Sequence, residues 1–103
     1  MAQVIWTEPA LSELEAIAEY IALDKPTAAS QLVRKIFSST NRLEQFPKSG
    51  SKPPELKESQ YRELIVNPCR VFYRIDGDRV FIVYVMRGER ELRRYLFEEW
   101  GCG

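Results

Sequence analysis

Two stripes of helical period followed by three β-rich segments predict an α+β domain: a first strand, an antiparallel helical hairpin and a three-stranded antiparallel meander. Three observations carry this prediction. Leu11, Leu14, Ile17, Ala18 and Ile21 recur at helical spacing, as do Ala29, Leu32, Val33, Ile36, Phe37, Leu43 and Phe46. Residues 61–66 and 70–75 read as alternating strands. Asp76-Gly77 between two apolar runs is a two-residue hairpin signal, with Gly77 supplying the positive φ. At 103 residues the chain suits one domain, residues 1–103, with a single core.

The apolar run AQVIW at 2–6 suits the first strand. Thr7 is a candidate N-cap, with Glu8 and Pro9 in the first turn, where negative charge and proline are tolerated. The first helix is predicted over about Glu8 to Leu23, with Glu13, Glu15 and Glu19 off its apolar stripe. Asp24-Lys25-Pro26 stops it and starts a second, with Asp24 as cap and Pro26 in the first turn. Pro47-Lys48-Ser49-Gly50 ends the second helix, and the short link makes the pair a hairpin. Residues 48–58 are polar, contain Pro53-Pro54 and read as a loop.

The first meander strand spans about Tyr61 to Val66. In the second, Val71, Tyr73 and Ile75 share one face while Arg70, Phe72 and Arg74 share the other. The third, about Arg79 to Met86, is apolar on both faces and is expected at the centre of the sheet. Glu91 to Trp100 follows as a short helix or tail. The place of the first strand in the sheet does not follow from these residues. Trp6 is expected in the core.

Composition excludes several chemistries. The chain has no histidine, which removes the commonest general base and metal ligand, and with them a zinc site or a Ser-His-Asp triad. Cys69 and Cys102 have no metal-ligand spacing and are expected as two unpaired thiols. No apolar run is long enough to span a bilayer and no signal-peptide pattern is present, so the expectation is a cytoplasmic protein without membrane contact.

Formal net charge is zero but uneven. Residues 1–51 hold Lys25, Arg34, Lys35, Arg42 and Lys48 against six acids, whereas Arg62 to Arg94 holds eight arginines against five. That is a mild basic patch, too weak for tight sequence-independent nucleic-acid binding. Arg62, Arg70 and Arg74 could contact a target or pair locally with Glu63, Asp76 or Asp78. As a group these arginines exceed what local pairing needs and point to a partner surface. Arg87, Arg90, Arg93 and Arg94 form either that surface or a solvated terminus beside Glu89 and Glu91.

In order along the chain, WTEPALSELEAIAEYIA, LEQFPKSG, YRELIV and RVFYRIDGDRVFIVYVMRGERELRRYL resemble the RelE/ParE superfamily of toxins from bacterial type II toxin–antitoxin modules. The resemblance implies that superfamily's fold: the helical hairpin packed on a twisted, mainly antiparallel four-stranded sheet. Tyr73-Arg74 before the turn and Met86-Arg87-Gly88-Glu89-Arg90 after the last strand are closer to the ParE branch; Met86 stands where a histidine is common.

ParE-like members inhibit DNA gyrase by trapping its cleaved-DNA complex, which blocks replication and growth. The resemblance implies that activity, with Arg62, Arg70, Arg87, Arg90, Arg93 and Arg94 as target-binding residues and no cofactor. It also implies a ParD-like antitoxin whose disordered segment wraps the hairpin and sheet over Tyr73, Arg74 and Tyr84, with operator DNA contacted only through the antitoxin. RelE-like members instead cut mRNA in the ribosomal A site. On that alternative Arg62, Arg70, Arg87, Arg90 and Tyr95 are the candidate catalytic residues. Leu64 stands where a strand lysine is expected, and arginine is a poor base because its pKa exceeds about 12. A non-toxic corepressor that only binds the antitoxin is a further alternative.

Overall fold

The structure is a computed structural model and describes residues 1–88. The segment from Glu91 to Trp100 expected as a terminal helix or tail lies outside the described residues, as does Cys102. The elements are β1 (Gln3–Trp6), α1 (Glu8–Ala22), α2 (Pro26–Asn41), β2 (Tyr61–Val66), β3 (Cys69–Asp76) and β4 (Arg79–Arg87). Short 3₁₀ turns occupy Arg42–Glu44 and Pro54–Leu56.

Thr7 caps α1 as its sequence position predicts, and it also anchors the helix. Its backbone is extended, and its Oγ1 accepts from the Ala10 N–H at 3.4 Å. The same hydroxyl donates to the Ile82 carbonyl at 2.8 Å, which also receives the Thr7 N–H. One threonine therefore starts the helix and fixes it to β4.

At α2 the expected Asp24 cap is replaced by Lys25, which makes no side-chain capping bond. Pro26 sits in the first turn, where it has no N–H to satisfy, so the residue just before it becomes the boundary. Asp24 and Lys25 instead close the end of α1 by donating their N–H groups to the Ile21 carbonyl. The far end differs too. The helix tightens into a 3₁₀ turn at Arg42, and this change of period rotates Phe46 out of the stripe. Leu43 is fully buried, whereas Phe46 is 58% exposed; Leu11, also expected on a buried stripe, is 43% exposed.

The sheet order is β1-β4-β3-β2. β1 lies parallel to β4, while β4–β3 and β3–β2 are antiparallel. β4 is interior, which explains its apolar character on both faces. The tight turn is Gly77-Asp78, closed by the pair Asp76↔Arg79, one residue later than the expected Asp76-Gly77. Gly77 has the left-handed φ of 62° that favours glycine. A bulge leaves Val83 as an extra residue in β4, since Phe72 pairs with Tyr84 and Tyr73 with Ile82. The phase of β4 flips there. Val80 and Ile82 point to the helices before the bulge and Val85 after it.

Two apolar clusters result. The larger, under the helices, joins Leu14, Ile17, Leu32, Ile36 and Leu43 to Val71, Tyr73, Val80, Ile82 and Val85. Trp6 is half-buried against it, its ring 4.9 Å from Phe37. The smaller joins Leu56 and Tyr61 to Phe72, Val83 and Met86 on the opposite face. Cys69 is fully buried.

Candidate functional site

The face of the sheet away from the helices is built around Arg70. Its Nε donates to Glu63 Oε1 at 2.7 Å, and its two terminal nitrogens donate to the two carboxylate oxygens of Glu55, each at 2.9 Å. The guanidinium also lies over the Phe72 ring at 5.0 Å. Side-chain exposure is 11% for Arg70, 5% for Glu63 and 26% for Glu55. The Glu55 hydrogen bonds, helped by Glu63 and opposed by burial, hold the Arg70 pKa well above the ordinary arginine value. Glu55 and Leu56 belong to the 3₁₀ turn of the 48–58 loop, so this cluster and Leu56 pin the loop across β2 and β3.

Arg74, on the same face, stacks on Phe81 at 4.4 Å and lies 3.9 Å from Asp76. Its Nε is buried and has no hydrogen-bond partner.

On the helix side, Tyr73 and Arg62 organise the loop after α2. The fully buried Tyr73 donates its hydroxyl to the Pro47 carbonyl at 2.8 Å and accepts the Gly50 N–H at 2.9 Å. Burial raises the phenol pKa, partly offset by the Gly50 hydrogen bond and the positive charge of Arg62. Arg62 donates to the carbonyls of Lys48 at 3.3 Å and Gly50 at 2.8 Å. A Cβ on Gly50 would lie 2.5 Å from the Tyr73 hydroxyl and 2.7 Å from the Glu63 carbonyl, so only glycine fits.

A third region is a groove of about 460 Å³ between α1 and the last part of β4, lined by Glu13, Ala16, Ile17, Tyr20, Tyr84, Met86 and Arg87. β1 runs beside β4 only from Arg79 to Ile82, so the groove opens where β1 has ended. Arg87 lies over the Tyr20 ring at 5.3 Å, and Tyr20 is 63% exposed.

The structure therefore separates the site residues expected from sequence. Tyr73 is corrected from a surface contact to a core residue, because both sides of its hydroxyl are used and no part of it reaches solvent. Arg70, which the sequence left between a target contact and local pairing, is ion-paired with Glu55 and Glu63. Arg74 pairs locally as well. Arg62 and Arg87 keep partial exposure, and Tyr84 lines the groove. Arg90, Arg93, Arg94 and Tyr95 lie outside the described residues. Sequence reasoning missed Glu55, Gly50 and Tyr20. Their only local signals were a carboxylate and a glycine in polar loop stretches and an aromatic residue off the helical stripe. Among the described residues no cluster of His, Cys, Asp and Glu could hold a metal ion. The arrangement offers positive charge and stacking surfaces; the carboxylates nearest the centre are tied to Arg70.

A profile of the family described as "ParE toxin of type II toxin-antitoxin system, parDE" matches residues 4–92. The chain belongs to the ParE toxin family. Among curated relatives, this ParE-family chain is 35% identical over 89 residues to toxin RelE2 of Caulobacter vibrioides, covering 84% of the chain and 92% of that protein. It is 34% identical to the putative toxin Y4kP of Sinorhizobium fredii, covering 91% and 96%, and 29% identical to toxin ParE3 of C. vibrioides, covering 93% and 96%. Among solved structures, a chain of the chromosomal ParDE toxin–antitoxin system from P. aeruginosa superposes with a TM-score of 0.73 at 26% identity, covering 86% of this chain and 98% of that one. The α+β fold with a mainly antiparallel four-stranded sheet is thus that of the family. A ParE toxin of the parDE type has an antitoxin as its partner.

Proposed function

We propose that this ParE-family toxin arrests growth by binding DNA gyrase and stabilising its cleaved-DNA complex, and that it performs no bond chemistry of its own. The observation that carries this reading is the Arg70 cluster. An endonuclease would need Arg70 to meet the scissile phosphate and a nearby group to take the 2′-OH proton. Here Arg70 is held by Glu55 and Glu63, and Tyr73 has its hydroxyl spent on the loop backbone with its pKa raised by burial. No histidine or strand lysine is at hand, since Leu64 occupies the relevant strand position. The partly exposed Arg62, and Arg87 stacked over Tyr20, suit a protein–protein contact.

The antitoxin in this reading is ParD-like and acidic where it meets Arg74 and Arg87. It lies along the groove of Tyr20, Tyr84 and Arg87.

The test uses purified toxin in two reactions. In a gyrase supercoiling assay the expected result is loss of supercoiling with accumulation of cleaved DNA, reversed by the antitoxin. In a translating extract read by primer extension the expected result is intact message. Codon-spaced cuts with unaffected gyrase would assign the protein to the mRNA-cleaving reading, which the relative named RelE2 keeps in view.

A further inference from the structure

Among the described residues, a group of cations without an ion pair lies at the α2–β2 side of the sheet. α2 packs beside β2, whereas α1, with Glu8, Glu13, Glu15 and Glu19, packs over β4. The α1 acids therefore lie over β4, away from β2. On α2, Lys35 and Ser39 are four residues apart and share one stripe, and Arg42 follows in the 3₁₀ turn. Ser39 and Arg42 line a cleft of about 280 Å³ with Ser49, floored by Leu64, Ile65 and Val66 of β2, and no acidic side chain lines it. Lys48 precedes Ser49 in the loop, and Arg62 reaches that loop from β2. Among the described residues none of Lys35, Arg42, Lys48 or Arg62 forms an ion pair.

The loop is preorganised. Its Pro47, Lys48 and Gly50 carbonyls all accept hydrogen bonds from Tyr73 or Arg62. That removes acceptor dipoles from the rim and leaves the Lys48 and Ser49 side chains facing outward, both exposed. A polyanion meeting this rim meets a loop backbone already held by Tyr73 and Arg62, which lowers the cost of binding.

We infer that the α2–β2 edge, with Lys35, Arg42, Lys48 and Arg62 around the Ser39–Ser49 cleft, is a docking surface for the phosphodiester backbone of duplex DNA. The choice of duplex DNA rests on the gyrase reading, in which the toxin sits beside DNA held by the enzyme. Four phosphate contacts give weak binding by themselves, in keeping with a chain of zero net charge. They add to a complex whose main contact is protein.

The experiment compares wild type with the triple variant Lys35→Gln, Arg42→Gln, Lys48→Gln. All three side chains are exposed, so the fold is expected to be intact, with an unchanged Tm as the control. Arg62 is left in place because it holds the loop. Anisotropy of a short fluorescein-labelled duplex is followed across salt. Wild type is expected to show a log–log slope of about −3.6, roughly a 150-fold loss between 50 and 200 mM salt, and the variant a slope of about −0.9. The variant should also trap at least about tenfold less cleaved DNA with gyrase at a given toxin concentration. Equal slopes for the two proteins would overturn the inference, as would tighter binding of wild type to single-stranded RNA of the same length. Wild type that shows the steep slope yet leaves gyrase untouched supports the DNA surface and removes the gyrase reading, so the two fail separately.

Discussion

Replacing Arg70 by alanine tests whether this arginine is a strut or a contact. The wild-type cluster holds one guanidinium between two carboxylates, at 2.7 Å to Glu63 and 2.9 Å to Glu55. Removing Arg70 affects the two acids differently. Glu55 is 26% exposed and can be rehydrated, whereas Glu63 is 5% exposed and keeps a buried charge with no counter-ion. Breaking a buried pair in this way costs about 3–5 kcal/mol. In a domain of this size each kcal/mol moves Tm by about 4–8 °C, so the variant should melt at least about 12 °C lower. The double variant Arg70→Met, Glu63→Gln removes the stranded charge and keeps most of the volume, and it should recover more than half of the loss. Scanning calorimetry reads both. Toxicity supplies the second readout: if Arg70 acts through the fold, the double variant regains growth arrest along with its Tm. A single variant whose Tm stays within about 2 °C of wild type would refute the strut assignment. A double variant that is stable yet inert would make Arg70 a target contact after all.

Three further outcomes are expected. Gly50→Ala should destabilise the protein by about 1–3 kcal/mol through overpacking, read as a lower urea midpoint, because its Cβ would meet the buried Tyr73 hydroxyl at 2.5 Å. Tyr73→Phe should cost about 1–3 kcal/mol by leaving Pro47 and Gly50 backbone groups unsatisfied, and it should also flatten the alkaline limb of stability. Because the folded phenol pKa is raised, its contribution is complete below the unfolded value of about 10 and is lost as pH rises through the folded value. Wild-type Tm should therefore fall above about pH 10 more steeply than that of the variant. Thr7→Ala should cost about 0.5–2 kcal/mol, measured by urea unfolding, since the cap of α1 and its tether to Ile82 go together.

Local chemistry made most of the fold legible. The N-cap at Thr7, the breaker Asp24-Lys25-Pro26, the alternation from Arg70 to Ile75 and the double-sided apolar character of β4 each have a local cause and each placed its element. What local chemistry did not place was set by changes of period and by chain crossings. The 3₁₀ turn at Arg42 carried Phe46 out of the stripe, and the bulge at Val83 flipped the second half of β4. β1 joins β4 across more than seventy residues of chain, a pairing with no local signal. The site was legible as a list of arginines but not as a set of pairings. Glu55 comes from a polar loop fifteen residues before Arg70, and nothing in that loop announces a bidentate partner.

That division changes how the arginines of this sheet are to be understood. A guanidinium on a strand can lie flat on an aromatic ring and still donate in its own plane, which lysine cannot do. Arg70 on Phe72 and Arg74 on Phe81 use this geometry to cover apolar surface on the face of the sheet that the helices leave bare. Their number therefore overstates the charge offered to a partner. The same positions that look most like a cationic site in the sequence are the ones the fold consumes. Among the described residues, the cations without a carboxylate ion pair include Arg62 and side chains of α2 and its following loop. A lysine replacement separates these uses: Arg70→Lys should lose stability because one ammonium cannot meet Glu55 and Glu63 in plane, whereas Arg42→Lys should bind duplex DNA as wild type does. Melting temperature and anisotropy read the two effects, and the reverse pattern would return the functional role to the sheet.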